Sequence, residues 1–399
     1  MRAILRILII LAFATILAAP CMAVKRITVK QLNQILIDAR SMPDEVVARS
    51  LSGLELTQRL SIQNLSRIRP TLPGPQSLRA LAAVADASAF LNLPAEEIPR
   101  DAPLDKDGQQ KLLTLASDYV EKTLAKLPNF FATEAITLFE DTPAGVENGL
   151  PVSYQPMHYE SKTNANVYYR AGKEVMESRA GEITENEQLV SAGSGLLSSG
   201  EFGPVLKTVL TDSQKGKLTW SHWELSSDPN SAAAPPIAVF RYAVPRKESH
   251  YKIKVELSGA SKPSQSRPGY HGEIAIDPSS GTILRLTLLA DTTDDDSLSA
   301  ADMMVEYGSV DIGGKSYICP LRSVAIVKAT LEALMYSPGA AAIIGSSNKG
   351  GGAANLDIPH KDQNNQTLLN DVTFEHYHLL RSDAKILTPA DLNDDGPKP

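Results

Sequence analysis

The sequence predicts an α+β protein, with an N-terminal helical region followed by an antiparallel, curved β-sheet or half-barrel. Three observations carry this expectation. Apolar residues recur at helical spacing from Thr28 to about Lys126, and the spacing becomes strict alternation after Pro128. The β half also lacks the crossover helices that a parallel sheet needs. The chain divides accordingly into a signal peptide at 1–23, the helical region at 24–128, the β domain at 129–388 and a disordered acidic tail at 389–399.

Arg2 and Arg6 precede an apolar run from Ile7 to Ala19, and small residues at Cys21 and Ala23 suit cleavage after Ala23. This is the plan of a secretory signal peptide, and the run is too short for a comfortable spanning helix of about 20 residues. Its removal takes away two arginines and no acid, so the formal charge moves from −7 to −9. An acidic protein is a poor partner for nucleic acid, and no later segment is apolar enough to span a membrane. Of the two cysteines only Cys319 remains, so no intrachain disulfide is expected.

In the helical region, Thr28 and Gln31 form a capping box ahead of Val29, Leu32, Ile35, Leu36 and Ala39, which share one face. A second helix follows Pro43 and carries Val46, Val47, Leu51 and Leu54. Thr57 is the expected cap of a third, which carries Leu60, Leu65 and Ile68 and stops at Pro70. An Ala-rich helix spans about Gln76 to Leu91, and a last one Gln109 to Lys126. The β half then alternates: Tyr251, Ile253, Val255 and Leu257; Leu284, Leu286 and Leu288; Met303, Val305 and Tyr307; and Val372, Phe374, His376, His378 and Leu380. Turn signals at Ala171-Gly172, Pro278 to Gly281 and Gly313-Gly314 separate the runs, which suggests a meander of roughly eight to eleven strands. One short helix is expected from Gly203 to Thr211, and a flexible Gly-rich loop at 346–355.

Few residues point to chemistry. His376 and His378 are two apart in a strand, so their imidazoles can face the same way and hold a metal. No third ligand is visible, and histidines hydrogen-bonded inside or at the rim of a β structure are the favoured reading of the pair. Asp391, Asn393 and Asp395, followed by Gly396, match the start of a calcium loop, but the chain ends before its closing glutamate. Trp220, Tyr242 and Tyr307 are candidate ligand-lining aromatics, although core and sheet-face packing is the favoured reading. No metalloprotease, serine-hydrolase or phosphate-loop signature occurs, and no cofactor is expected.

Several stretches resemble a group of uncharacterised exported proteins of soil bacteria: Val167 to Lys173, Gly269 to Asp277, Val305 to Gly308 with Ile312 to Pro320, and Val372 to Phe374 with Tyr377-His378 and Arg381 to Asp383. The β half more loosely resembles the open half-barrel of bacterial lipoprotein carriers, through a strand–Gly–Lys hairpin, consecutive hairpins with an Ile276-Asp277-Pro278 turn and a terminal Phe374/Tyr377 strand. That resemblance implies acyl-chain binding in a concave face under a helical lid. The large helical segment before the barrel and the Gly-rich insertion depart from it.

The expected function is therefore an exported envelope protein, periplasmic or extracellular, binding an apolar or lipid-like ligand in a β concavity. One alternative is an exported hydrolase that uses His376 or His378 with a carboxylate or metal. The other is an interaction protein that docks partners through its helical region.

Overall fold

Thr28 does cap the first helix, α1 (Val29–Asp38). Its Oγ1 accepts from the Gln31 N–H at 3.2 Å, and Gln31 Oε1 accepts from the Thr28 N–H at 2.8 Å. The computed structural model describes residues 24–124, 126–143, 145–147, 150–152, 154–177, 183–184, 195–196, 201–226, 236–256, 264–293, 298–330 and 365–380. The segments expected as signal peptide, Gly-rich loop at 346–355 and acidic tail lie outside them.

Helix α2 (Asp44–Ser52) starts after Pro43 as its sequence suggests, and Gly53 ends it. Leu54 is therefore not helical. It opens the strand Leu54–Leu56, which pairs in parallel with Lys25–Ile27. The cap of α3 (Ile62–Ile68) is Ser61 and not Thr57, with Ser61 Oγ accepting from the Asn64 N–H. Thr57 instead donates its hydroxyl to the Ile27 carbonyl beside that strand pair. Helix α4 (Pro75–Ala87) begins at an N-terminus held from outside, because the Asp44 carboxylate of α2 accepts from the Gln76 and Ser77 N–H groups at 2.9 Å. Ile27, Leu32, Leu36, Val47, Leu51, Leu56 and Leu81 close a small core of their own. The last helix before the sheet is α5 (Lys106–Leu124).

The main sheet has eleven strands, all antiparallel. In chain order they are β1 (Phe130–Thr142), β2 (Gln155–Arg170), β3 (Lys173–Glu177), β4 (Ile183–Thr184), β5 (Lys217–Glu224), β6 (Ile237–Val244), β7 (Tyr270–Ile276), β8 (Ile283–Ala290), β9 (Leu298–Ile312), β10 (Lys315–Thr330) and β11 (Asn365–Leu379). Their spatial order runs β5 to β11 without a break and continues β1, β2, β3, β4. Every neighbour is thus a chain neighbour except β11 and β1. The sheet is open, and its two edges, β4 and β5, are consecutive in the chain. Helix α6 (Pro204–Ser213) lies in the segment between them. The protein is α+β. The expected turns carry left-handed backbone at Ala171, Gly172, Gly281, Gly313 and Gly314, as tight hairpins require.

Both faces of the sheet are covered. On one, Leu112, Ala116 and Val120 of α5 and Val205, Leu206 and Val209 of α6 pack against Phe240, Tyr242, Ile274, Leu286, Leu288, Met303, Val305 and Val327. The expected alternation of Met303, Val305 and Tyr307 produces this face. A space among Tyr119, Val120, Phe202, Leu206 and Tyr307 holds about 20 Å³, close to the room one water needs. On the other face, Phe139, Met304, Val324, Ile326 and Leu369 meet Ala83 of α4 and Ala89. Two alternations break. Leu284 leaves the set of Leu286 and Leu288 and packs with Ile237, Val239 and Ala275, next to an irregular register at Ala275/Ile276. In β11 a register shift between Glu375 and His378 ends the run that begins at Val372.

Gly272 on β7 sits where a Cβ would lie 1.9 Å from the Thr287 carbonyl oxygen and 3.0 Å from the Tyr242 hydroxyl. Backbone on a neighbouring strand cannot yield as a side-chain tip can. Gly272→Ala is expected to cost about 3 kcal/mol or more in urea unfolding, while Gly314→Ala, which meets open space, costs about 1 kcal/mol for its left-handed backbone.

Candidate functional site

The alternation that buries Leu286 and Leu288 under α5 turns Arg285 to the opposite face, which strand periodicity alone would leave in water. Here that face is roofed by the helical region. Arg59 comes from the segment before α3, Asp86 from the end of α4, Glu224 from the end of β5, Glu273 from β7, Arg322 from β10 and Asp371 from β11. Between roof and sheet runs a cleft of about 360 Å³, lined by Lys30, Arg59, Arg67, Asp86, Glu96, Glu97, Glu224, Arg285, Glu306 and Arg322, among others.

Glu224 is the hub. Arg285 donates to both of its oxygens, at 2.7 and 2.8 Å, in a bidentate fork. Arg59 donates to the same carboxylate, and His222 Nε2 lies 3.1 Å from it. Glu273 lies 3.7 Å from Arg285, 3.9 Å from Arg59 and 3.1 Å from Arg241. The side chains of Glu224, Arg59 and Arg285 are 7%, 9% and 13% exposed, so solvent screens them little. Burial would raise the Glu224 pKa, but the Arg285 charge and the hydrogen bonds from Arg285 and His222 outweigh it and hold the carboxyl well below its ordinary range. Burial opposes the charge of Arg285 too, and Glu224 more than compensates.

A second knot lies beside the first. Arg322 donates to Asp86 and, at 2.8 Å, to Asp371. Asp86 is nearly sealed from solvent, and burial pushes its carboxyl up to about 7 against the pull of Arg322. Its Oδ2, like the Arg285 Nε, has no hydrogen-bond partner among the described residues. Ser221, His222 and Glu224 form a chain with contacts of 2.8 and 3.1 Å, which has the residue types of a hydrolytic triad. Ser221 and His222 are not among the cleft-lining residues, however, and the acid already serves two guanidinium groups. The chain fixes His222 and Glu224 in place.

The aromatic candidates lie on the other side of the sheet. Trp220 packs edge-on to Trp223 and Phe240 at 4.8 and 5.4 Å, Tyr242 donates to the Thr287 carbonyl at 2.6 Å, and both share one apolar cluster with Tyr307. The histidine pair is not brought together as strand alternation predicts. His376 has φ +53° beside the register shift, Tyr377 turns inward to donate to the Pro320 carbonyl, and His378 is exposed against Phe131 at 5.0 Å. No group of three metal-ligating residues among the described residues includes either imidazole. The group that does converge is Glu140, His158 and Glu160, on β1 and β2. Asp391, Asn393 and Asp395 lie outside the described residues, as does the cleavage site at Ala23. Cys319 is buried, and burial pushes its thiol up to about 12, so it is no nucleophile. No helix among the described residues is long and apolar enough to cross a membrane.

Comparison with protein-family models, with curated proteins and with solved structures finds no match for this chain.

Two outcomes follow from these ion pairs. Glu224→Ala leaves two guanidinium groups buried without their acceptor, and unfolding in urea should show a loss of about 3–5 kcal/mol. Between the ordinary value of 3.8 and about 7, folded Asp86 holds a proton that the unfolded chain releases, so its contribution makes stability fall as pH rises across that window. Asp86→Asn should flatten that slope in a series of melts from acid to neutral pH.

Proposed function

We propose that the chain is an exported, non-catalytic binding protein whose ligand is a small polar molecule carrying both an anionic and a cationic group, such as an amino acid or short peptide. The cleft between the helical region and the sheet carries this reading. Its volume of about 360 Å³ falls at the lower end of ligand sites, and its lining offers both guanidinium groups and carboxylates. A ligand of one charge would meet its own sign somewhere on that wall, whereas a zwitterion finds a partner at each end. Export is supported by the plan of residues 1–23 and by a first strand, Lys25–Ile27, directly after the expected cut.

The strand order, with β4 and β5 as its free edges, and the packing of α5 and α6 against one face suit the half-barrel expected from the sequence. A second reading retains the apolar ligand, which would take the place of those helices against Trp220, Tyr242 and Tyr307. The aromatic character of that face favours it, and its dense packing weighs against it.

A thermal-shift panel separates the two. Short peptides are expected to raise the melting temperature by roughly 2–5 °C near saturation. Lys30→Ala with Arg67→Ala, both exposed at the cleft, should abolish that rise without lowering the ligand-free value. The cleft reading fails if amino acids and peptides give no shift, or if native mass spectrometry finds lipid carried through purification. Export itself is read by intact mass, which should correspond to a chain beginning at Val24.

A further inference from the structure

We propose that Glu140, His158 and Glu160 form a binding site for a divalent metal of the zinc class, separate from the cleft. One ligand atom from each residue lies within 4.8 Å of the others. Ligands about 2.0–2.2 Å from a tetrahedral zinc are roughly 3.3 Å apart, so the trio needs to close by an ångström or so. Glu160 is exposed and free to make that movement.

The backbone places the three together. Glu140 on β1 stands directly opposite His158 on β2 in the ladder. Between Leu138↔Ser161 and Phe139↔Tyr159 the register shifts, and Glu160 is the extra residue. A bulge of this kind re-aims a side chain without breaking the sheet. Neighbouring groups then orient two of the ligands. His158 Nδ1 lies 3.0 Å from the Pro156 carbonyl, which can only accept, so Nδ1 carries the proton and Nε2 presents its lone pair. That orientation comes from outside the trio. Gln366 Nε2 on β11 donates to Glu140 Oε2 at 3.4 Å and leaves Oε1 free to bind.

Electrostatics agrees with the geometry. Burial and then the Glu160 charge raise the Glu140 pKa, while His158 lowers it, so a cation between the two carboxylates would relieve a repulsion that exists without it. The nitrogen ligand argues against calcium and magnesium, which take oxygen, and in favour of zinc. Three protein ligands leave a fourth position for water.

The test is calorimetric titration of zinc chloride into the full chain after chelator treatment. One equivalent should bind, and His158→Ala, Glu140→Gln and Glu160→Gln should each weaken binding at least about tenfold. His376→Ala with His378→Ala should leave it unchanged. Glu160 is exposed, so its variant folds and keeps the test decisive even if a half-buried variant does not. The proposal is overturned if no stoichiometric equivalent binds, if Glu160→Gln and His158→Ala bind as the parent does, or if the His376/His378 variant is the one that loses the metal.

Discussion

Phe130 to Glu140 lie alongside Leu368 to Leu379, a ladder between the first and last strands of the sheet. The other nine pairings join strands that follow one another in the chain order of the sheet, but this one joins segments separated by nearly the whole β domain. It places β1 to β4 beyond β11 and leaves β4 and β5 as the two edges of the open sheet. Long-range pairing of this sort is costly in chain entropy until the intervening strands are in place. Its register also decides which face each of β1 and β11 presents. Phe130, Ala132, Val372 and Phe374 therefore share one apolar cluster, while Phe139 and Leu369 turn to the opposite side and meet α4.

That register gives the sheet two buried faces of different chemistry. One is apolar, filled by α5 and α6. The other mixes apolar contacts around α4 with buried arginines and carboxylates gathered around Glu224 and Arg322. An ion-pair interface of this kind adds little net stability over a greasy one, because desolvation consumes much of the attraction. It does penalise misplacement severely, since any shift of the roof leaves a charge buried alone. The cleft opens beside these ion pairs and is lined by Arg59, Glu224, Arg285 and Arg322.

Departures from regular pairing recur near the chemistry. A register shift at Trp220/His222 precedes Glu224, another at Glu306/Tyr307 precedes the strand that carries Arg322, and a third beside Glu140 sets Glu160 next to His158. Strict alternation distributes side chains evenly between two faces. A bulge is the means by which a sheet concentrates polar groups at one point.

Much of this fold follows from local sequence alone. The capping box at Thr28 and Gln31, the helix after Pro43, the Ala-rich helix, the hairpin turns and the alternation of Met303, Val305 and Tyr307 are legible because each depends on neighbours a few residues away. Local reasoning misplaced the third helix cap, because Thr57 and Ser61 are both competent caps and only the strand at Leu54–Leu56 takes Thr57 out of contention. It paired His376 with His378 because a bulge in β11 leaves no mark in the sequence. The candidate sites were hidden for a related reason. Arg285 reads as a solvent-facing alternate until a helical region more than two hundred residues earlier covers it, and Glu140 meets His158 only through the ladder of β1 and β2. The sequence by itself determined where helix gives way to strand and which side of each strand is apolar, because those depend on periodicity. Only the tertiary structure decided which polar faces are buried together, because that depends on contacts between distant segments whose charges are satisfied only by one another.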